Sequence, residues 1–444
     1  MAPKIIQPAH PSLFGSWISN PKTISISRDS IRTTWMLFDS LCMFAITEDE
    51  KHRDTMAPQR RTRGDLKAAT VMREHGLWLN REQRVVGNIP GVLIGDVFFF
   101  RMEMCVLGLH GQVQAGTDYV PSSQSLNDDE DVGDVIVYTG HGGQDKHNRQ
   151  VMHQKLECGN LALERSMSCG IEVKVIRGFK YKGSASEKVY VYDGLYKIIE
   201  TWFDVGRSGF GVYKFKLVRI ENQVEMGSAI MKFAVSLRTQ PLEARPRGYV
   251  SLDLSNKKEN FPVFFYNDVD DVHDPIYYEY LISTGIKNRF EVFRSRETGW
   301  GVRSLDLIQV GSFICEYTGV VLTREQVQVF TMNGDSLIYP SHFGERWKEW
   351  GNLSQVFSDY VPPSYPSTPP LDFAMDVSRM SYVACYMSHS SSPNVFVQLV
   401  LYNHNNVSFP HLMLFAMENI PPMRELSLDY GVADEWMGKL AFCN

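Results

Sequence analysis

Cysteine is scarce in this chain and carries no pattern. Seven cysteines are spread over 444 residues, at Cys42, Cys105, Cys158, Cys169, Cys315, Cys385 and Cys443, with no C-x-C or C-x-x-C pair. Tetrahedral zinc sites draw on closely spaced thiolate and imidazole ligands. No zinc site is therefore expected, and the cysteines read as small buried hydrophobes in a reducing compartment. Long apolar runs are lacking as well: none approaches the ~18 residues that cross a bilayer. Met1 to Asn20 has no charged stretch followed by an apolar one, so neither a membrane anchor nor a secretory leader is expected. Positive charge is not in excess, with a formal net charge of -6. That balance excludes a protein that coats nucleic acid indiscriminately.

What is present suffices for two or three hydrophobic cores, given a 43% hydrophobic composition. Near the amino terminus Trp35, Phe38, Leu41 and Phe44 recur three apart, and Leu66, Ala69 and Met72 do the same. That spacing predicts two amphipathic helices, joined by the basic linker Pro58 to Arg63 and read as an ordinary hairpin filling a groove. Downstream, short runs bounded by glycine predict strands, among them Val173–Ile176, Lys188–Tyr192, Phe290–Phe293, Ser312–Tyr317 and Asn394–Val400. The fold class is thus mostly β with α (α+β). Val361 to Pro370 is rich in proline and serine and reads as an exposed loop.

Four motifs follow in order in the second half: Gly299-Trp300-Gly301-Val302-Arg303, Glu316-Tyr317-Thr318-Gly319, Ser388-His389-Ser390-Ser391-Ser392-Pro393-Asn394 and Glu425-Leu426-Ser427-Leu428-Asp429-Tyr430. Their order resembles the SET-type lysine methyltransferases. The resemblance implies a β-fold with a pseudoknot, Gly299, Trp300, Gly301, Ser388 and His389 at the S-adenosylmethionine site, and Tyr317 and Tyr430 orienting the lysine amine. A glycine turn lets backbone approach a ligand closely, and methyl transfer depends on positioning and preorganised electrostatics. Several positions depart from the pattern. Ser388 stands where the family has asparagine, and a hydroxyl offers one donor where a carboxamide offers two. Ser391 replaces a zinc-binding cysteine, Leu428 an aromatic wall of the lysine channel, and Val320 a glutamate. The cysteine-rich segments that flank the SET region of active relatives have no counterpart, so Tyr317 and Tyr430 read as remnants.

The first half carries a second ordered set: Gly87 to Asp96, Phe100-Arg101, Gly108-Leu109-His110, Ala115 to Tyr119, Tyr138 to Asp145 and Val191-Tyr192-Asp193-Gly194. This resembles an SRA (YDG) domain, a β-barrel-like fold that flips methylated cytosine out of the duplex. Such a pocket needs π-faces, polar groups for the base edge and a side chain to fill the vacated stack. By motif position Gln114 is the inserting side chain, Tyr138 one face of the sandwich, Asp128 or Asp129 the reading carboxylate, and Thr139 supplies backbone groups. Ser122 to Leu126 stands where a strand and a second aromatic are usual, so this segment reads as shortened. From Asp145 to Arg219 there are 14 Lys or Arg against 8 Asp or Glu, and Arg177, Lys180, Lys182 and Lys188 read as phosphate contacts.

Together these features resemble the plant SU(VAR)3-9 homologue family, and its catalytically degenerate branch best. The expected order is a disordered tail over 1–30, a helix pair over 31–85, an SRA domain over 86–239, a linker with a pre-SET remnant over 240–288, a SET-like domain over 289–432 and a tail over 433–444. The branch implies a nuclear adaptor on chromatin that binds methylated DNA and serves gene silencing through the RNA polymerase V machinery of RNA-directed DNA methylation. That reading requires no cofactor and no metal. Two alternatives stand beside it. One is a histone H3 lysine 9 methyltransferase using S-adenosylmethionine, with the H3 tail as a further partner. The other is a shortened paralogue or gene model with neither activity.

Overall fold

The computed structural model describes residues 27–53, 63–81, 85–110, 119–122, 130–147, 149–184, 186–239, 288–295, 299–332, 337–344, 352–361, 370–377, 383–402 and 404–431. The expected pre-SET remnant, the carboxyl-terminal tail and most of the amino-terminal tail, the basic linker and the proline-rich loop lie outside the described residues. Helices α1 (Arg28–Arg53) and α2 (Gly64–Glu74) open the described chain. α1 buries Ile31, Trp35, Phe38, Leu41, Cys42 and Ala45, and α2 buries Ala68, Ala69 and Met72. Phe44 and Leu66 are instead each 41% exposed. A strict three-residue spacing drifts off one face of a helix that repeats every 3.6 residues, and on α1 Cys42 and Ala45 take the inner positions.

The first sheet is built from β1 (Val97–Phe98), β2 (Tyr119–Ser122), β3 (Glu130–Asp131), β4 (Val135–Thr139), β5 (Val173–Lys180), β6 (Lys188–Val205) and β7 (Gly211–Arg219), with α3 (Arg101–Val106) and α4 (Cys158–Ser168) between strands. Its order is β2-β5-β6-β7-β4-β3, with β1 paired to β6. β2 and β5 run parallel, whereas β5, β6, β7 and β4 are antiparallel neighbours. Ile136, Tyr138, Leu163, Val175, Tyr196 and Phe215 are among its core residues. Helix α5 (Gly227–Thr239) follows and packs on β6.

The second half supplies β8 (Phe290–Ser295), β9 (Gly299–Ser304), β10 (Phe313–Tyr317), β11 (Val320–Leu322), α6 (Arg324–Met332), β12 (Leu337–Ile338), β13 (Ala374–Asp376), β14 (Ser388–His389), β15 (Val395–Val400), β16 (His411–Ala416) and β17 (Glu425–Leu428). The larger sheet runs β10-β16-β15-β17-β9-β8, and β11-β13-β12 form a smaller one. β17 lies between β15 and β9, and β14 also pairs with it, parallel. The last strand is thus enclosed by segments that precede it in the chain, as expected of the pseudoknot.

The helix pair does more than fill a groove. Arg28 donates to both Asp96 oxygens (2.6 and 3.0 Å) and both Glu418 oxygens (3.0 and 2.7 Å). Arg32 reaches Glu418 at 2.6 Å, and Arg424 reaches Asp96 at 2.6 Å. Three guanidinium groups from α1 and the carboxyl-terminal half therefore surround two fully buried carboxylates, one from each half. Burial pushes both carboxyls up, and the arginines reverse this and hold them below the ordinary carboxylate range. Asn419 adds bonds to the Val97 carbonyl (3.1 Å) and to Glu103 (3.2 Å). Beside this clasp, Phe38, Leu41, Met72, Met102, Leu353 and Val356 share one apolar cluster, so the 352–361 segment docks on the helices.

Replacing Glu418 with Ala is expected to lower stability by ~3–5 kcal/mol, because it takes a buried carboxylate from Arg28 and Arg32 at once. Urea denaturation of the whole chain measures it, and a loss within the range of a surface change would refute the role of the clasp. A second prediction concerns pH. Burial raises the Asp39 carboxyl to about 7, and Glu103 is likewise raised, by burial and then by Asp39 among its neighbours. A raised acid binds its proton more tightly folded than unfolded, so its contribution is present at low pH and is lost as pH climbs from about 4 to about 7. Asp39→Asn is expected to flatten that decline in a series of melts; an unchanged pH slope would remove Asp39 as its source.

Candidate functional site

Tyr192-Asp193-Gly194 forms a β-bulge. Val175 pairs with Gly194 and Ile176 with Tyr192, so Asp193 is the extra residue on β6. Gly194 takes φ +101°, a conformation that favours glycine. The bulge aims the fully buried Asp193 carboxylate at Arg177 (2.5 Å) and at the Ser228 N–H (2.7 Å). Arg177 continues to Asp131 (2.7 and 2.8 Å), the Gly133 carbonyl (2.7 Å) and the Tyr196 hydroxyl (3.2 Å). This corrects the expectation that Arg177 contacts phosphate. Its guanidinium is buried and braces the sheet, because two aspartates on neighbouring segments hold it inward. Lys180, Lys182 and Lys188 are exposed.

Tyr138 and Thr139 end β4, and both are buried. The Tyr138 ring meets His141 edge-on at 5.7 Å and lies 6.5 Å from Phe215. Asn160 holds the next turn by accepting from the His141 N–H (2.9 Å) and donating to the His141 carbonyl (2.8 Å). Gln154 donates to the Gly140 carbonyl (2.6 Å) and accepts from the Tyr213 N–H (2.9 Å). A further turn follows, in which Asp145 accepts from the His147 and Arg149 N–H groups and from the Arg149 side chain, leaving Lys146 and His147 exposed. Arg101 donates to His110 Nε2 at 3.0 Å. Burial, and after it the Arg101 charge, lowers the His110 imidazole to about 4, which suits an acceptor. Gln114, Asp128 and Asp129 lie outside the described residues, as do Ser123 to Leu126. Sequence reading missed Asn160 and Gln154; a polar side chain that folds back on a glycine turn leaves no periodic signal.

In the second half, Tyr317 ends β10 and Tyr430 follows β17. Their rings are 6.3 Å apart and nearly perpendicular. Both are buried, and burial raises the Tyr430 phenol above its ordinary range. The Tyr430 hydroxyl donates to the Met387 carbonyl at 3.0 Å. His389 pairs with Leu428 across β14 and β17, and its Nδ1 accepts from the Tyr430 N–H at 3.3 Å. Asn394, at the end of the serine-rich motif, has a role that no sequence signal marks. Its amide donates to the Glu425 carbonyl (2.8 Å) and accepts from the Ser427 N–H (2.9 Å), pinning β17.

Gly301 departs from the turn expected of it. It lies within β9, and a Cβ there would meet Glu425 Oε1 at 2.8 Å and Phe293 Cζ at 2.9 Å. A side chain there would press on the ends of Glu425 and Phe293, which crowd this face of the strand. Gly299 and Trp300 lie on the same strand, and Ser388 on β14 is half-buried. Cys42, Cys105, Cys315 and Cys385 are buried, whereas Cys158 and Cys169 are exposed, which corrects the reading of all cysteines as core; Cys443 lies outside the described residues.

A SAD/SRA domain model matches residues 85–223 and a SET domain model residues 299–431. The chain is similar to two histone-lysine N-methyltransferase family members of Arabidopsis thaliana: SUVH9, at 49% identity over 94% of this chain and 78% of that protein, and SUVH2, at 50% over 94% and 77%. The alignment with SUVH9 runs over 506 residues, more than the 444 of this chain, so that relative carries segments this chain lacks. The crystal structure of SUVH9 superposes with a TM-score of 0.75 at 47% identity, covering 91% of this chain and 98% of that one. Arabidopsis thaliana SUVH6 in complex with SAM gives 0.68 at 30%, covering 92% and 94%. KRYPTONITE in complex with mCHH DNA, H3(1-15) peptide and SAH gives 0.60 at 25%, covering 91% and 93%.

The bracing role of Arg177 separates it from its exposed neighbours. Asp193→Ala is expected to cost ~3–5 kcal/mol in urea denaturation, since it leaves Arg177 buried without its closest partner. Lys182→Ala is expected to stay within about 0.5 kcal/mol of the parent; equal effects from the two would contradict the assignment.

Proposed function

Because the chain belongs to the SU(VAR)3-9 homologue family of SRA- and SET-domain proteins, we propose that it is a nuclear reader of methylated DNA with no methyltransferase turnover. Its SRA half reads the base, and its SET half serves as scaffold for an adaptor in gene silencing and RNA-directed DNA methylation. The observation that carries this reading is the Tyr430 hydroxyl. It donates to the Met387 carbonyl at 3.0 Å, so the group that would orient an amine already has a partner within the chain.

The cofactor side agrees. An adenosyl cofactor such as the SAM bound by SUVH6 calls for backbone approach at the Gly-Trp-Gly strand and a carboxamide at position 388. In this chain Phe293 and Glu425 fill the space at Gly301, and Ser388 supplies one donor. These residues do not fit the group, and no transfer step is derived through it. Among the described residues no cluster of three or more His, Cys, Asp or Glu could hold a metal.

The reader half rests on Tyr138 and Thr139 at the end of β4, with Gln114 as the inserting side chain and Asp128 or Asp129 as the reading carboxylate. Base flipping opens a duplex at a cost of a few kcal/mol, which stacking and edge hydrogen bonds offset. Exposed Lys180, Lys182 and Lys188, joined by Lys146 and His147 on the Asp145 turn that follows that strand end, are the phosphate contacts in this reading. KRYPTONITE, bound to mCHH DNA, supports methylated DNA as the ligand class.

The test is fluorescence-polarisation binding of the whole chain to matched methylated and unmethylated duplexes at one fixed salt concentration. The methylated duplex is expected to bind more tightly, and Asp129→Ala to abolish the difference. Equal binding to both would sink the reader and favour a shortened paralogue without either activity. Incubation with S-adenosylmethionine and histone H3 is expected to leave no methylated product; product that disappears in Tyr430→Phe would establish the enzyme reading instead.

A further inference from the structure

Phe343 stands against the tyrosine pair from outside the motifs. The segment that carries it runs from β12 through a 3-10 turn, Pro340–His342. The Phe343 ring centroid lies 6.0 Å from Tyr317 and 5.9 Å from Tyr430, while the tyrosines are 6.3 Å from each other. Three rings thus form a nearly equilateral triangle. Its midpoint lies about 3.5 Å from each centroid, one carbon–carbon contact distance. The rings are tilted against one another by 45° to 78°, so none stacks flat on its neighbour. A cage for an alkylammonium needs its rings spread around the cation; this triangle has closed on itself.

The turn is also fixed in place. Gly431 follows Tyr430 at φ +89°, and a Cβ there would collide with the His342 carbonyl. Tyr339 and His342 pack ring to ring at 5.1 Å, and Phe343 packs on the core that includes both tyrosines. We propose that Phe343 is the residue that excludes a lysine side chain from the Tyr317–Tyr430 site. The inference rests on the reading of that pair as an amine-orienting remnant and adds to it a physical cause: the seat of the amine is filled by the chain's own aromatic ring. Restoring cofactor contacts alone would not restore an amine site.

The experiment is nitration of the whole chain by tetranitromethane, with modified tyrosines mapped by peptide mass spectrometry, in the parent, Phe343→Ala and Phe343→Leu. Circular dichroism verifies that each variant folds. Tyr430 is expected to react roughly tenfold or more faster in Phe343→Ala than in the parent, with Phe343→Leu between them. Methylammonium chloride, compared with potassium chloride at equal ionic strength, is expected to slow the reaction in Phe343→Ala and not in the parent. Equal Tyr430 rates in the parent and Phe343→Ala would show that Phe343 does not cover the pair, overturning the inference while leaving the remnant reading intact. Faster nitration without protection by methylammonium would show that Phe343 covers a site with no affinity for amines, and the remnant reading itself would fall with the inference.

Discussion

Two buried carboxylates tie one half of this fold to the other. Asp96 belongs to the SRA half and Glu418 to the SET half, and among the described residues the guanidiniums on Asp96 all come from outside its own half. Glu418 has Arg424 nearby at 3.6 Å, but its close partners, Arg28 and Arg32, come from α1. Removing α1 would leave two carboxylates sharing one guanidinium in a buried site, where an uncompensated charge costs several kcal/mol. The helix is therefore a part of both domains, and the full set of Arg28 contacts is made only when all three elements meet. Their value lies less in net stability than in the geometry they specify, since a bidentate guanidinium fixes direction as well as distance.

Much of the fold is legible in the sequence because its signals are local. Strands such as β5 and β10 announce themselves by bounded hydrophobic runs, and the motifs have a fixed order that identifies two domain types. What is not legible depends on residues far apart in the chain. Arg177 reads as one more cation in a basic stretch, and only the bulge at Asp193 together with Asp131 turns it inward. Phe44 satisfies a spacing rule that the helix geometry then rotates out of register. The clasp is invisible for the same reason: Arg28 and Glu418 are 390 positions apart, and no pattern in either neighbourhood marks a partner. Asn394 sits inside a recognised motif, yet its role needs β17 beside it. The candidate base pocket is legible only as motif positions, since Gln114, Asp128 and Asp129 lie outside the described residues.

The two halves differ in how their polar groups are disposed. In the SRA half buried Arg177, Asp193 and Tyr196, with the more exposed Asp131, form a network of their own, while Tyr138 and Thr139 sit at the end of β4, so bracing and proposed binding fall to different residues. Such a division lets the candidate pocket vary while the brace stays whole. In the SET half the residues that chemistry would require are the ones engaged in structure. Tyr430 bonds the Met387 carbonyl, His389 accepts from the Tyr430 backbone, and Gly301 is packed under Phe293 and Glu425. A group with its hydrogen bonds complete at rest gains little from a substrate, because each new bond must first replace an old one.

That contrast bears on what a scaffold must do. A domain relieved of turnover no longer needs an open, strained or mobile site, and the usual conflict between stability and activity disappears. On the proposed reading, a Phe343 that closes the amine seat and a Tyr430 hydroxyl drawn into the interior both move the SET half in that direction. The consequence reaches the other half through the clasp: a better-packed SET half holds Glu418 and Arg424 more firmly, and with them Asp96 and the first residues of β1. On the proposed reading, loss of catalysis and firmness of the SRA support are one change viewed from two sides. A variant that loosens the Tyr317–Phe343–Tyr430 triangle would then weaken the DNA-binding half before it gained any chemistry.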